Sequence, residues 1–248
     1  MIQSISLELV HHRQKRRGTK AGPGQAQPVQ QAGFQTGTRT RLERNPLAFQ
    51  DSPQFTWGRQ ATQVPSSPWS GRGIRVAVLD TGFDSTHPDF AGPQTTAQSV
   101  IVNEQAEDGH GTHFIGTATG TNAPASGPRY GIAYGAEIFV EKVLSKAESG
   151  SDSGIIAGIN WAVANKVPII SMSLGADVPQ VHRLTRRQQG NFGVVTPPVH
   201  SPHILSVAAL EETLDVAFFS ARSFPERFFP ERGGTVDIAG PGFRGREL

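Results

Sequence analysis

Ile74-Arg75-Val76-Ala77-Val78-Leu79-Asp80-Thr81-Gly82 is the stretch on which the reading of the chain turns. Ile, Val and Leu dominate its first six residues, which follow Gly73 and show no alternation of apolar and polar side chains. A short continuous apolar run of this kind is how a strand reads when helices cover both faces of a parallel sheet. The run ends on a carboxylate, Asp80, and open α/β sheets place their sites outside the carboxyl ends of their strands. Taken alone, Asp-Thr-Gly reads more simply as an acid capping the next turn.

A second stretch, Asp108-Gly109-His110-Gly111-Thr112-His113, places two histidines three positions apart with glycine on either side of the first. Those glycines leave the His110 imidazole uncrowded and allow close approach of another segment. Thr112 and the small residues after it are suited to start a helix, which puts His110 at or just before the helix N-terminus. A loop carrying two surface histidines is the other reading of the same residues. Downstream, the apolar run Ile138–Leu144 predicts a strand and Gly154–Asn165 a helix with Ile155, Ile156, Ile159, Ala162 and Val163 on one face. Asp152 or Ser153 is its expected N-cap and Asn165 its expected end, and Val167–Gly175 predicts the next strand. Strand, helix and strand in this order make a βαβ unit.

The 248 residues suffice for one large α/β domain or two small ones. There is no cysteine, which excludes disulfides and thiolate metal sites. No apolar run approaches the length needed to span a bilayer. In the first ten residues the charge follows the apolar part and Glu8 interrupts it, unlike a signal peptide, so no compartment is read from it. Residues 1–50 hold eight Lys/Arg against Glu8 and Glu43, a net of +6 in a chain of net +2. With its Gln, Gly, Thr and Pro content, segment 1–52 is expected to be a basic, disordered leader or pro-segment remnant. It lacks the interleaved aromatics of a nucleic-acid surface, and no nucleic-acid partner is expected. Order is expected from Pro53 on, with Trp57, Val64 and Trp69 as anchors.

The two stretches together carry a resemblance. Val76–Phe90, with Asp80-Thr81-Gly82 and His87-Pro88-Asp89, resembles the catalytic-aspartate segment of the subtilisin-like serine proteases, the subtilases. Asp108–His113 resembles that family's histidine motif, in the family's order of aspartate before histidine. Tyr130–Glu137, the Lys142-Val143-Leu144 strand end and Ser173-Leu174-Gly175 continue the match, which covers about Trp57 to Gly242. The resemblance implies a three-layer α/β fold with a mostly parallel sheet and a partial catalytic domain over 53–248. It implies Asp80 and His110 as triad members of an endopeptidase. It also implies Ser149 and Gly150 as backbone that takes an extended peptide as an added strand, with Ser173, Leu174 and Gly175 beside the specificity pocket. Peptide or protein substrates and a monomeric enzyme are expected, with no cofactor required. Asp89 matches a position that contributes to a calcium site in some members, while Gly120–Arg129 lacks the Asn-rich run that would complete it.

Two departures qualify the expectation. Fifteen residues separate Gly175 from Asn191, and the cationic Val181–Gln189 leaves no room for the apolar helix–strand unit of the family. Asn191 is either the remnant of the oxyanion motif or a plain turn asparagine. Val236–Gly242 resembles the segment before the nucleophile, yet none of the six Gly-Thr pairs in the chain is followed by serine. The fold is therefore expected to be truncated and to lack one internal helix–strand unit. The chain alone is expected to be inactive. Two other readings stay open: a pseudoprotease that binds extended peptides, and a non-functional product of a frameshifted protease gene. The last is motivated by Arg183–Gln189, by the near-repeat Phe224-Pro225-Glu226-Arg227 and Phe229-Pro230-Glu231-Arg232, and by the ending Arg244–Leu248.

Overall fold

The computed structural model of the chain describes residues 9–11, 49–90, 95–101, 109–175, 198, 201, 203–217, 219–220, 223 and 235–243. The decisive apolar run forms strand β2 (Arg75–Asp80), one residue later than its sequence start and ending on Asp80 as expected. Around it stand β3 (Thr95–Ser99), β4 (Glu137–Lys142) and β5 (Ile169–Met172), with a three-residue β1 (Leu9–His11) at one edge. The order across the sheet is β1-β5-β2-β4-β3. β2, β3, β4 and β5 run parallel, and β1 joins β5 antiparallel, Leu9 facing Ser171 and His11 facing Ile169.

Three of the residues expected in a disordered leader thus form a strand. An uncovered edge of β5 presents unpaired backbone groups, and Leu9-Val10 supplies a segment able to take them up. The rest of the leader up to residue 48 lies outside the described residues.

Side-chain alternation along β2 builds the layers. Ala77 and Leu79 pack with Phe139, Val143 and Ala162, the last on helix α3 (Asp152–Ala164). Val78 packs with Ile138, Val140, Phe83 and Phe90, and with Phe114 and Ile115 of helix α2 (Gly109–Thr119). One helix on each face gives the three layers, and each fully buried Leu, Ile, Val or Phe contributes roughly 1.5–3 kcal/mol by leaving water. The α3 N-cap is Ser151, whose hydroxyl accepts from the Gly154 amide at 3.1 Å, so Asp152 and Ser153 are already helical. Asn165 is the C-cap, as expected, and Lys166 follows at a φ of 57°.

A short helix α1 (Trp57–Ala61) precedes the sheet, with Trp57 buried as an anchor. Trp69 is not one, since it is 83% exposed in the turn before β2. Strands β6 (Val207–Glu211) and β7 (Ile238–Phe243) form a separate parallel pair. Among the described residues no strand joins that pair to the five-stranded sheet. The segment where a joining unit was expected to be missing, residues 176–197, lies outside the described residues.

Candidate active site

β5, β2 and β4 are adjacent and parallel, so the segments leaving their carboxyl ends lie side by side. Asp80 closes the middle strand. Ser173-Leu174-Gly175 leaves β5 on one side, and Ser149-Gly150 lies in the loop between β4 and α3 on the other. Strand order alone therefore gathers segments that are far apart in the chain.

Asp80 is fully buried and collects its donors on Oδ1: the Thr81 amide at 2.7 Å and the Thr81 hydroxyl at 3.2 Å. His110 Nδ1 lies 2.6 Å from the same oxygen. Asp80 Oδ2 is buried with no partner among the described residues. His110 sits in the first turn of α2, which begins at Gly109, three residues before the start at Thr112 that the sequence suggested. Thr112 instead accepts from the Asp84 amide at 2.9 Å and ties that turn to the loop after β2.

The glycines beside His110 differ in what they do. A Cβ at Gly109 would meet nothing, whereas one at Gly111 would lie 2.1 Å from the Gly82 carbonyl oxygen. Gly82 itself adopts φ 121°, a conformation that side chains disfavour. The two glycines let α2 touch the turn after Asp80, and that contact sets the Asp80–His110 distance. Phe114, one turn on, lies against the His110 ring with centroids 4.8 Å apart. For His113, desolvation lowers the pKa below the ordinary histidine value, the charge of His110 adds to this, and Asp80 opposes it.

Of the other expected site residues, Ser149, Gly150 and Gly175 are exposed, while Ser173 and Leu174 are buried. The Ser173 hydroxyl has no partner among the described residues. A Cβ at Gly150 would meet the Val143 carbonyl oxygen at 2.5 Å, so glycine lets that loop fold back on the end of β4. Asn191 lies outside the described residues. Ser206, Ser220 and Ser223 belong to the β6–β7 unit: the Ser206 amide donates to Asp237, the Ser220 hydroxyl accepts from Ala209 and that of Ser223 from Val236.

Asp89 is buried in a short 3-10 turn and accepts from the Ala125 amide at 2.7 Å and the Tyr130 hydroxyl at 2.6 Å. Burial pushes its pKa up, but these two bonds and the charge of His87 outweigh that and leave it below the usual carboxylate range. The Tyr130 phenol is pushed up by desolvation and by Asp89. Each carboxylate oxygen thus accepts one hydrogen bond, Oδ1 from Ala125 and Oδ2 from Tyr130. Among the described residues no group of three His, Asp or Glu could hold a metal ion.

Sequence reasoning passed over Thr81 and Lys142. Thr81 links Asp80 to α2, since its hydroxyl accepts from the Gly111 amide at 3.1 Å. Lys142 donates from Nζ to the Thr81 carbonyl. The signal for Lys142 was two charges, Glu141-Lys142, inside an apolar strand.

A histidine oriented by a buried carboxylate, at the carboxyl edge of a helix-covered parallel sheet, is an arrangement suited to general-base chemistry. The sequence pattern of the Subtilase family (Peptidase_S8) matches residues 71–224. The chain belongs to that family of serine proteases. It is 39% identical over 142 residues to an intracellular serine protease of Paenibacillus polymyxa, covering 52% of this chain and 43% of that protein. Against the major intracellular serine protease of Bacillus subtilis it is 32% identical over 190 residues, 69% of this chain and 59% of the relative. For Subtilisin E of the same species the figures are 27% over 224 residues, 81% and 56%. The chain thus spans about half the length of the curated relatives it matches. In fold it is similar to the psychrophilic subtilisin-like protease Apa1 of an Antarctic Pseudoalteromonas, with a TM-score of 0.59 and 24% identity. That alignment covers 75% of this chain and 45% of the solved structure.

Proposed function

We propose that this site serves peptide-bond hydrolysis by an endopeptidase, with the chain supplying the general base and the carboxylate that orients it. The observation that carries the reading is the 2.6 Å approach of His110 Nδ1 to Asp80 Oδ1 at the carboxyl edge of the sheet. With its Nδ1 proton donated to Asp80, His110 carries its lone pair on Nε2, which would take a hydroxyl proton and later return it to the leaving amine. Asp80 stabilises the imidazolium formed in between. An extended peptide would lie between the Ser149-Gly150 loop and Ser173-Leu174-Gly175, added as a strand. Asn191 is the proposed oxyanion donor.

The attacking serine is not among these 248 residues in a Gly-Thr-Ser context. The chain by itself is therefore expected to resist an active-site fluorophosphonate probe, as followed by mass spectrometry. A version continued past Gly242 with a family-type Gly-Thr-Ser segment should label at that serine, and the labelling should vanish with His110→Ala. Labelling of the original chain at any serine would count against this reading. A second reading, peptide binding without cleavage, is favoured by the exposed Ser149-Gly150 and Gly175 flanking Asp80. Neither reading calls for a cofactor, and Asp89, where calcium was an expectation, accepts from the Ala125 amide and the Tyr130 hydroxyl.

A further inference from the structure

We propose that Lys142 is a positioning residue for the Asp80–His110 pair, acting through Thr81; the proposal rests on that pair being the hydrolytic site. Lys142 is the last residue of β4 and is 1% exposed. Its Cα is the register partner of Asp80 across the parallel ladder. Side chains of register partners share a face. Here that is the face covered by α2, since Ile138 and Val140, at alternate positions of the same strand, pack with Phe114 and Ile115. The ammonium is thus buried on the side of the sheet that carries His110.

One of its N–H groups donates to the Thr81 carbonyl, and Thr81 is the residue on which the site converges. Thr81 gives two donors to Asp80 Oδ1 and receives one from Gly111, the neighbour of His110. Fixing the Thr81 peptide therefore fixes the acceptor oxygen and the first turn of α2 together. Tying the strand ends is a role already filled, because the Val143 and Leu144 amides both donate to the Asp80 carbonyl, at 2.9 and 3.2 Å. Burying an ammonium is costly, and an apolar side chain of the same length would fill the space without that cost. A lysine at this point serves the geometry and field around Asp80 more than the packing.

The test is 15N-edited NMR of the histidine rings in the full 248-residue chain, comparing wild type with Lys142→Met, Lys142→Gln and Lys142→Arg. Two neutral replacements are used so that one that fails to fold leaves the other to decide. The His110 Nδ1 proton is expected to be lost, or to exchange with water about tenfold faster, in the neutral variants, as one charged-donor hydrogen bond is removed. It should return in Lys142→Arg, while the His113 ring signals stay in place in every variant. A folded neutral variant that keeps the wild-type resonance, or a folded Lys142→Arg chain that lacks it, overturns the proposal. A wild-type chain with no Nδ1 proton on His110 would instead overturn the reading of the pair itself.

Discussion

Asp80 gathers three donors on one oxygen and leaves the other buried without a partner among the described residues. The asymmetry has a use. Oδ1 faces the histidine and is held in place by Thr81, so the imidazole meets a fixed acceptor. Glu141, the neighbour of Lys142, presents the opposite case. It points to the α3 side of the sheet, is fully buried, and has no partner for either oxygen among the described residues. Leu79 and Gln98 are its register neighbours and Gly158 of α3 lies over it. The Arg75–Glu137 pair lies at the far end of the same face. Desolvation pushes the Glu141 carboxyl up from 4.5 to about 7. The folded state therefore holds this proton more tightly than the unfolded chain does. Stability should fall as pH rises from about 4.5 to about 7 and then level off with respect to this group. Glu141→Leu should remove that slope and raise the thermal midpoint at pH 7 more than at pH 4.5, as read by circular dichroism at both pH values. An equal shift at both would show that the carboxyl is not buried in its neutral form.

At the scale of elements, the site depends on how closely α2 approaches the turn after β2. Gly111→Ala should cost on the order of 1–3 kcal/mol, because its Cβ would meet the Gly82 carbonyl and α2 must withdraw. Gly109→Ala, with open space at its Cβ, should be tolerated. Chemical denaturation of the two variants compares them directly, and equal losses would contradict the close contact. The loop from Gly120 to Arg129 offers another check. Asp89 fastens it through Ala125 and Tyr130, so EDTA should leave the thermal midpoint unchanged, whereas Tyr130→Phe should lower it by removing a hydrogen bond to a charged group. A drop with EDTA, restored by calcium, would place an ion at Asp89 after all. Element types were legible because β2, β4 and β5 are short apolar runs; of the apolar face expected on α3, Ile155, Ile159 and Ala162 pack on the sheet, whereas Ile156 and Val163 are exposed. Element ends were less so. Ser151 and Asp152 are both good caps, and only the geometry chooses between them. The start of α2 at Gly109 was hidden because glycine carries no helix signal; the close contact with Gly82 is made two residues on, by Gly111.

For the whole molecule, the apolar patterns gave the βαβ unit, while the three-layer arrangement was what the family resemblance implied. Among the described residues β6–β7 stand apart from the five-stranded sheet, and the polar, cationic run after Gly175 lies outside those residues. The pairing of Leu9–His11 with β5 was not legible, since three residues in a basic, polar segment carry no periodic signal. Asp80 and His110 were singled out by the resemblance that their two motifs carry together, since each alone had a plainer reading. Thr81 and Lys142 could not be placed, because their roles depend on register between strands about sixty residues apart.

The central claim is that Asp80 holds His110 in the tautomer with the proton on Nδ1 and the basic lone pair on Nε2. The most direct test is the 15N NMR assignment of the His110 ring in this chain, with Asp80→Asn as reference. The account predicts a proton on Nδ1 in the wild type and a shift toward the Nε2–H tautomer in Asp80→Asn. A wild-type ring protonated only on Nε2, or an Nδ1 proton indifferent to Asp80→Asn, would contradict it.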